Sequence, residues 1–335
     1  MMAGVDTGEA ATCIAVVGAG SIGRRHLEVA TQLLGACAVA IPARPESFGE
    51  LQRLGFATAS SLRELVGKAR LVIVATETSR HLADGLQALD LGFDVLMEKP
   101  LACDASEGRR LVDAARASAR TLLVGYNLRF CDSLLRFRQR LHELGAIHSV
   151  HVECRSYLPD WRTGRDYRSM YSARAREGGV LLDLSHEIDY TGWLFGWPAA
   201  LSALLVNTGR LGIAEEEAAH LRWITEPGTV VTLELDYLSR PSRRVMRAAG
   251  EKGTLEWSGT DGSVTFSGAD GKVEHHQSPQ TRNEMMAKQL EACLSGWAEH
   301  ATTPATALDA LRTLAVIDAA RRSAASQVEV EQVTV

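Results

Sequence analysis

Residues 12–125 alternate short apolar runs with amphipathic stretches, and this rhythm constrains the fold more than any other feature of the 335-residue chain. The runs are rich in Val, Ile and Leu on both faces, which is typical of parallel strands covered on both sides. Each is followed by a helical pattern, so the segment predicts a doubly wound parallel sheet. We expect its strands at 12–17, 37–41, 71–75, 94–97 and 121–124. In the short helical stretch 62–66, Ser61 and Glu64 predict a capping box.

The alternation of apolar runs and amphipathic stretches ends near residue 126, and the rest of the chain predicts a second domain. A helix is expected over 133–144 and two more over 282–297 and 305–323, the last with Thr303 as its cap and Pro304 as its first residue. Between them, period-two patterns and glycine turns predict a mostly antiparallel sheet. Its strands are expected at 149–157, 203–208, 219–225, 229–237, 243–249, 253–258 and 263–267.

A glycine loop, GAGSIG, directly follows the first predicted strand and opens the first predicted helix. In this position the first glycine allows a tight turn, the second lets backbone amides approach a pyrophosphate, and the third lets the helix pack on the strand. The loop therefore predicts a dinucleotide site formed by Gly18, Gly20, Ser21, Ile22 and Gly23, with a purely structural turn as the alternative. The predicted fold is α/β: a Rossmann doubly wound domain, residues 1–125, and a second α/β domain, residues 126–335.

The end of the second strand bears on which dinucleotide is bound. It continues as Pro42-Ala43-Arg44, with no acidic residue before Glu46. A carboxylate here would hold the ribose 2′-hydroxyl of NAD, whereas an arginine suits the 2′-phosphate of NADP. We therefore predict NADP with Arg44 as a contact, and NAD remains the alternative.

Two further segments carry chemistry. Lys99 follows the predicted strand 94–97, where open α/β sheets bind ligands, and a lysine there could exchange a proton with a substrate hydroxyl. On a helix beginning near Gly178 and Gly179, spacings of three and four place Asp183, His186 and Tyr190 on one face. A carboxylate beside an imidazole can orient it and support its charged form. Each segment also has a structural alternative. Lys99 could lie on a surface loop, and Asp183 and His186 could be a pair on the helix surface without a catalytic role.

Taken together, these motifs resemble the Gfo/Idh/MocA oxidoreductases, the glucose–fructose oxidoreductase and inositol dehydrogenase group. The matching stretches are VGAGSIGRRH (17–26), VIVATETSRH (72–81), DVLMEKPLA (94–102), VGYNLRF (124–130), GGVLLDLSHEID (178–189) and ALDALRTLAVIDAARRSA (307–324). The resemblance implies that the second domain, residues 126–335, binds the substrate and forms oligomer contacts through an open sheet. It further implies hydride transfer between a nicotinamide and a hydroxyl-bearing carbon of a sugar or cyclitol. It also implies Lys99 as the catalytic lysine, with Asp183 and His186 in the substrate site. By the same resemblance, the cofactor contacts would include Thr76, His81, Glu98 and Asn127.

Arginines and aromatic residues are concentrated in residues 155–176. Guanidinium groups bind carboxylates and phosphates, so this segment predicts an acidic or nucleotide-linked sugar substrate, the alternative being a solvent-exposed or subunit-facing loop. The arginines are Arg155, Arg162, Arg165, Arg168, Arg174 and Arg176. We predict substrate contacts from Tyr126, Arg129, Trp161, Arg162 and Tyr171. Two rival functions remain: a non-catalytic dinucleotide sensor and a reductase of an imine or a linear tetrapyrrole.

Composition limits the partners. The chain has 36 basic and 41 acidic residues, a net charge of −5, which disfavours general binding to nucleic acid or an anionic membrane. Six scattered cysteines suggest neither a metal site nor a disulfide framework. Asp6 and Glu9 do not fit a signal peptide, and no apolar run approaches the length of a membrane span. We expect a cytoplasmic homo-oligomer, a dimer or tetramer, acting on a small carbohydrate.

Overall fold

The computed structural model describes residues 13–162, 164, 166–295, 302–326 and 331–335. Predictions that concern Asp6, Glu9, Thr12, Arg165 and Trp297 lie outside these residues. Within the described ranges, no helix is long and apolar enough to cross a membrane.

The first half of the chain alternates strands and helices as predicted. The strands are β1 (Cys13–Val17), β2 (Cys37–Ile41), β3 (Ala57–Thr58), β4 (Ala69–Val74), β5 (Asp94–Met97) and β6 (Leu122–Val124). The helices are α1 (Ser21–Glu28), α2 (Ser47–Arg53), α3 (Thr78–Asp90) and α4 (Ala105–Ala117). Every residue of β1 is buried, since helices cover both faces of the sheet.

The second half begins with α5 (Asp132–Arg140), which a 3₁₀ turn continues to Leu144, so the helix predicted over 133–144 ends early. Then come β7 (Ile147–Arg155), α6 (Val180–Asp183), α7 (Ser185–Phe195), β8 (Ala200–Val206), β9 (Ala218–Ile224), β10 (Val230–Asp236) and β11 (Arg243–Gly250). The chain continues with β12 (Gly253–Ser258), β13 (Ser263–Gly268), β14 (Val273–Gln277), α8 (Arg282–Leu294), β15 (Ala305–Thr306), α9 (Ala307–Ser326) and β16 (Glu331–Gln332).

Two sheets organise the described part of the chain. The first has the order β15-β6-β5-β4-β1-β2-β3 and is parallel apart from β15. The second has the order β14-β13-β12-β11-β7-β10-β9-β8-β16 and is antiparallel except where β7 pairs with β10. The predicted fold class, a doubly wound parallel sheet followed by a mostly antiparallel open one, is confirmed.

Two predicted helix starts are wrong. Leu62–Leu65 is a 3₁₀ turn whose N-cap residue, Ser61, makes no side-chain capping hydrogen bond, so no capping box forms, and Ser60 Oγ donates to the Glu64 carboxylate. At the other end, Thr303 and Pro304 do not start α9, because Ala305–Thr306 is extended and pairs with β6. Thr306 is the cap instead: its Oγ1 accepts from the Asp309 amide at 3.1 Å, and Asp309 Oδ2 accepts from the Thr306 amide at 3.2 Å.

The helix predicted from Gly178 and Gly179 is interrupted. Leu184 lies at φ −95° and ψ 28°, outside the helical region, and separates α6 from α7. The expected single face of Asp183, His186 and Tyr190 is therefore wrong. Tyr190 points into the core, where its ring packs edge-on against Trp257 with centroids 5.4 Å apart.

Candidate active site

The glycine loop has the geometry that a bound dinucleotide requires. Gly18 has φ +90°, and a Cβ there would lie 2.7 Å from the carbonyl oxygen of Ala75, so only glycine fits the turn. A Cβ on Gly23 would lie 1.9 Å from the Gly18 carbonyl oxygen, which explains how α1 packs so closely on β1. Gly20 faces open space instead, immediately before the N-terminus of α1. The loop therefore leaves free amides exposed to a cavity, as a phosphate site needs.

A cavity of about 1460 Å³ extends from this loop across the carboxyl ends of the first sheet to the second sheet. Among the predicted site residues it is lined by Gly20, Ser21, Ile22, Thr76, Glu98, Lys99, Asn127, Trp161, Arg162, Tyr171, Asp183 and His186. Lys99 and His186 thus face the same compartment although they are far apart in sequence. Within the described residues, no group of three or more His, Cys, Asp or Glu side chains is arranged to hold a metal ion.

Lys99 contacts the α6–α7 break directly. Its Nζ donates to the Asp183 carbonyl oxygen at 2.7 Å and lies 3.9 Å from Asp183 Oδ1. The hydroxyl of Tyr237 lies 2.7 Å from Asp183 Oδ2 and 2.9 Å from the Gly179 carbonyl oxygen, and can donate its single proton to either. The negative charge of Asp183, together with burial, raises the pKa of Tyr171 well above its usual value. The Asp183 carboxylate is therefore held between the hydroxyls of two protonated tyrosines and the Lys99 ammonium.

His186 lies about one turn after Asp183, near the start of α7. Its ring packs edge-on against the ring of Tyr126, with centroids 5.5 Å apart. Burial lowers the pKa of His186 well below its usual value, and the positive charges of Lys99, Arg244 and Arg282 lower it further. The prediction that Asp183 supports a charged imidazole is therefore wrong, since burial, reinforced by nearby cations, keeps the imidazole neutral.

Glu98 lines the cavity beside Lys99. Its Oε1 lies 2.6 Å from His26 Nε2 on α1, and its Oε2 accepts from the Lys99 amide at 3.2 Å. Burial acts to raise the pKa of Glu98, but the hydrogen bond and charge of His26, with the charge of Lys99, hold it below its usual value. Glu98 is therefore an anion that ties the glycine-loop helix to the strand carrying Lys99.

Three predicted contacts lie outside the cavity and need correction. The Arg129 guanidinium is buried between Asp189 and Asp309, with shortest distances of 2.7 and 3.1 Å, so it is a structural ion pair and not a substrate contact. Tyr126 is fully buried behind His186 and supports that ring. His81 is also buried, with its ring nitrogens 2.8 Å from the Pro100 carbonyl oxygen and 3.2 Å from that of Thr76, so it braces two loops rather than lining the cofactor path.

Most arginines of residues 155–176 are already paired with carboxylates. Arg155 forms ion pairs with Glu153 and Glu234, and Arg174 with Glu77 and Glu177. Arg168 pairs with Asp166, and Arg176 pairs with Asp104 and Glu107. Arg162 differs, since it forms no ion pair with the described residues and lines the cavity. The alternative of a loop whose arginines pair elsewhere thus holds for much of the segment.

A second cavity of about 550 Å³ continues from the glycine loop past the end of β2. It is lined by Gly18, Pro42, Arg44, Ser47 and Arg80 from the first domain. Arg162 and Tyr171 line it as well as the larger cavity. The two spaces therefore form one path from Arg44 to Lys99, as an extended dinucleotide would need.

Comparison with known proteins identifies the family. Residues 13–126 match the model of an oxidoreductase family with an NAD-binding Rossmann fold, and residues 138–332 match the model of its C-terminal alpha/beta domain. The chain belongs to the Gfo/Idh/MocA oxidoreductase family.

Relatives within the family are similar over part of their length. The scyllo-inositol 2-dehydrogenase (NADP(+)) IolW of Bacillus subtilis (strain 168) is 34% identical over 139 residues, which are 40% of this chain and 37% of that protein. An uncharacterised oxidoreductase of Streptococcus pneumoniae serotype 4 is 30% identical over 43% of this chain and 40% of its own length. The chain therefore spans less than half of these curated relatives.

Solved structures share the whole fold. Levoglucosan dehydrogenase in complex with NADH has a TM-score of 0.85 at 18% identity and covers 96% of this chain and 99% of its own. The WlbA dehydrogenase of Bordetella pertussis, in complex with NADH and UDP-GlcNAcA, has a TM-score of 0.78 at 20% identity over 96% and 99% of the two chains. These TM-scores establish a common fold, and at identities this low the likeness concerns the fold alone.

Sequence patterns did not indicate four residues in or beside the cavity. Tyr237 is buried behind the cavity wall, directly after β10, and reaches Asp183, 54 positions away. Arg25 on α1, Arg244 on β11 and Arg282 at the start of α8 line the cavity that contains Lys99. No local pattern marks these four residues, because strand pairing and domain packing bring them to the site.

Proposed function

We propose that the chain is an NAD(P)-dependent oxidoreductase that transfers a hydride between a nicotinamide and a hydroxyl-bearing carbon of a sugar or sugar derivative. The observation that carries the proposal is the single cavity that contains the glycine loop, Lys99, Asp183 and His186. A reacting hydroxyl placed there has an ammonium, a carboxylate and an imidazole within one compartment.

The described residues fit a dinucleotide. Gly20, Ser21 and Ile22 would hold its pyrophosphate at the N-terminus of α1, and Thr76, Glu98 and Asn127 would line its path toward Lys99. When bound, the nicotinamide supplies the hydride acceptor or donor. The protein supplies position, since Glu98 is anchored by His26 and Lys99 by the carbonyl of Asp183.

Proton transfer is assigned to His186 and Lys99. A neutral imidazole can accept the hydroxyl proton during oxidation and return it during reduction. The Lys99 ammonium stabilises the negative charge that develops on the substrate oxygen, and Asp183 fixes the position of Lys99. The lowered pKa of His186 keeps the ring in the neutral form, which has a nitrogen lone pair to accept the proton.

For the cofactor we propose NADP, with NAD as the alternative. Arg44 lines the second cavity at the end of β2, and no carboxylate intervenes between that strand and Glu46. An arginine there suits a 2′-phosphate. One relative carries NADP(+) in its name, whereas the solved relatives hold NADH.

The proposed substrate is a small carbohydrate, acidic or nucleotide-linked. Trp161, 36% exposed, and Arg162 lie on the same cavity wall and provide an aromatic face and an ionic contact. We also propose a homo-oligomer, a dimer or tetramer, since Leu204 and Ile224 expose about three fifths of their surface on the open sheet. Free cysteines fit a reducing compartment such as the cytoplasm.

The decisive experiment replaces Lys99 with alanine. Turnover should fall roughly 10²-fold or more because the ammonium is lost at the reacting oxygen. The affinity for NADPH, measured by its fluorescence, should remain nearly unchanged. Turnover is followed by the absorbance of reduced nicotinamide with sugar acids, nucleotide sugars and inositols, and Lys68→Ala, at an exposed position, is the matched control.

Three outcomes contradict the proposal. Unchanged turnover in Lys99→Ala would remove the lysine from the mechanism. NADPH binding without turnover of any carbohydrate would favour the non-catalytic sensor. Turnover confined to imines or linear tetrapyrroles would favour the alternative reductase.

A further inference from the structure

Three arginines surround one part of the cavity next to His186. Arg25 comes from α1, Arg244 from β11 and Arg282 from the first position of α8, and all three line the cavity that contains Lys99. We call this group the basic subsite. Its members come from three elements of both domains, so their convergence is a product of the tertiary fold.

Nearby carboxylates balance only part of the positive charge of the basic subsite. Arg244 Nε is bonded to the buried Glu187 Oε1 at 2.7 Å. Arg25 and Arg282 form no ion pair or hydrogen bond through their side chains with any residue of the described ranges. The neighbouring carboxylate, Glu98, is already bonded to His26. Two guanidinium groups are therefore available to a ligand.

The arginines are close enough to repel one another. Burial lowers the pKa of Arg282, the charges of Arg25 and Arg244 lower it further, and Glu98 only partly offsets them. The guanidinium stays protonated at neutral pH, so it remains in an unfavourable field. An anion placed among the three side chains would relieve this repulsion.

Local structure holds the subsite in place and leaves it open. A Cβ on Gly259 would lie 2.7 Å from Arg244 Cδ, so glycine makes room for that side chain. At α8, Thr281 and Glu284 form a reciprocal capping box that fixes the helix start just before Arg282. Arg282 faces the cavity, and its side chain is therefore exposed to solvent.

We propose that the basic subsite binds an anionic substituent of the substrate, a carboxylate or a phosphate, and thereby selects acidic carbohydrates. This inference rests on the proposed function and names a substrate contact for it. Most of the arginines of residues 155–176 already form ion pairs with carboxylates. The positive charge that selects an acidic substrate is therefore supplied mainly by the basic subsite, from α1, β11 and α8. Arg162 lines both cavities and remains a further ionic contact for the substrate.

The test measures binding, not turnover. The full-length protein, saturated with NADP⁺, is titrated by calorimetry with D-glucuronate, glucose 6-phosphate and neutral D-glucose. At least one of the two anions should bind roughly tenfold more tightly than glucose, and Arg25→Gln and Arg282→Gln should each reduce that preference by about tenfold. The affinities for glucose and for NADP⁺ should change by less than about twofold. Arg243→Gln is the charge-matched control, since this cavity arginine is already 3.5 Å from Glu153.

Each outcome has one meaning. A preference for only one of the two anions identifies a carboxylate or a phosphate as the group bound. The inference is overturned if wild type binds glucose as well as both anions, or if Arg243→Gln lowers the preference as much as Arg282→Gln. It is also overturned if the two variants weaken NADP⁺ binding as strongly as anion binding, because the arginines would then serve the cofactor. Anion preference without any redox turnover would keep the subsite and reject the proposed function.

Discussion

The charged side chains of this molecule differ in what they face: Lys99 lines the cavity, whereas Arg129 is buried against carboxylates. Lys99 and Asp183 could be singled out because each lies at the end of a recognisable local pattern, a buried strand or a glycine-initiated helix. Arg129 lies in VGYNLRF, a stretch marked only by its resemblance to the family, and its guanidinium is buried between two aspartates 60 and 180 positions away. Charge alone does not reveal whether an arginine faces a ligand or a buried carboxylate.

The half-buried imidazole of His186 leads to a prediction about stability at low pH. Its folded-state pKa is depressed by burial and by the charges of Lys99, Arg244 and Arg282, whereas the unfolded value is near the ordinary 6.5. Between these two values the unfolded chain binds the proton and the folded chain does not. The free energy of unfolding should therefore fall as pH drops below about 6.5, by up to about 1.4 kcal/mol per pH unit from this group.

The comparison with His186→Gln isolates that contribution. In urea titrations, the stability difference between wild type and the variant should shift against wild type as pH falls from neutral toward 5, and stay constant above 7. His220→Gln, at an exposed position on β9, serves as the control. Parallel pH curves for wild type and His186→Gln would contradict a neutral imidazole.

At the scale of elements, strands and most helices follow from periodicity, whereas their ends depend on partners distant in sequence. The α6–α7 break is an example, since the apolar pattern continues through Leu184 and gives no sign of it. The break presents the Asp183 carbonyl to Lys99. The start of α9 is another, because Ala305–Thr306 becomes a strand only by pairing with β6.

The end of β2 gives a prediction at this scale. The strand places Arg44 in the cavity that continues from the glycine loop, so Arg44→Ala should weaken NADPH binding roughly tenfold, as expected for a charge-assisted hydrogen bond. NADH binding should change by less than about twofold because it lacks the 2′-phosphate. Fluorescence titration measures both, and Arg53→Ala on the exposed end of α2 is the control. Equal losses for both dinucleotides, or a wild-type preference for NADH, would reject the assignment.

Across the whole molecule, the expected division at residue 125 describes the order of the chain better than its packing. The closing segment returns to the first domain, where β15 extends the parallel sheet beyond β6, and α9 packs on both α4 and β8. A continuous apolar core includes residues of both domains, such as Val72 and Leu233. Local periodicity predicted the two sheets, but it could not predict this return, since the pairing of Ala305 with Val124 joins segments about half a chain apart.

The shared core predicts that both domains unfold together and that a dinucleotide stabilises both. All six tryptophans follow residue 126, so their fluorescence reports on the second domain, whereas thiol labelling of the buried Cys103 reports on the first. In urea the two midpoints should coincide. NADPH at about 100 times its Kd should raise the free energy of unfolding by about 2.7 kcal/mol and shift both midpoints equally. Labelling of Cys103 at lower urea, or a tryptophan transition that NADPH leaves unchanged, would show instead that the domains unfold independently.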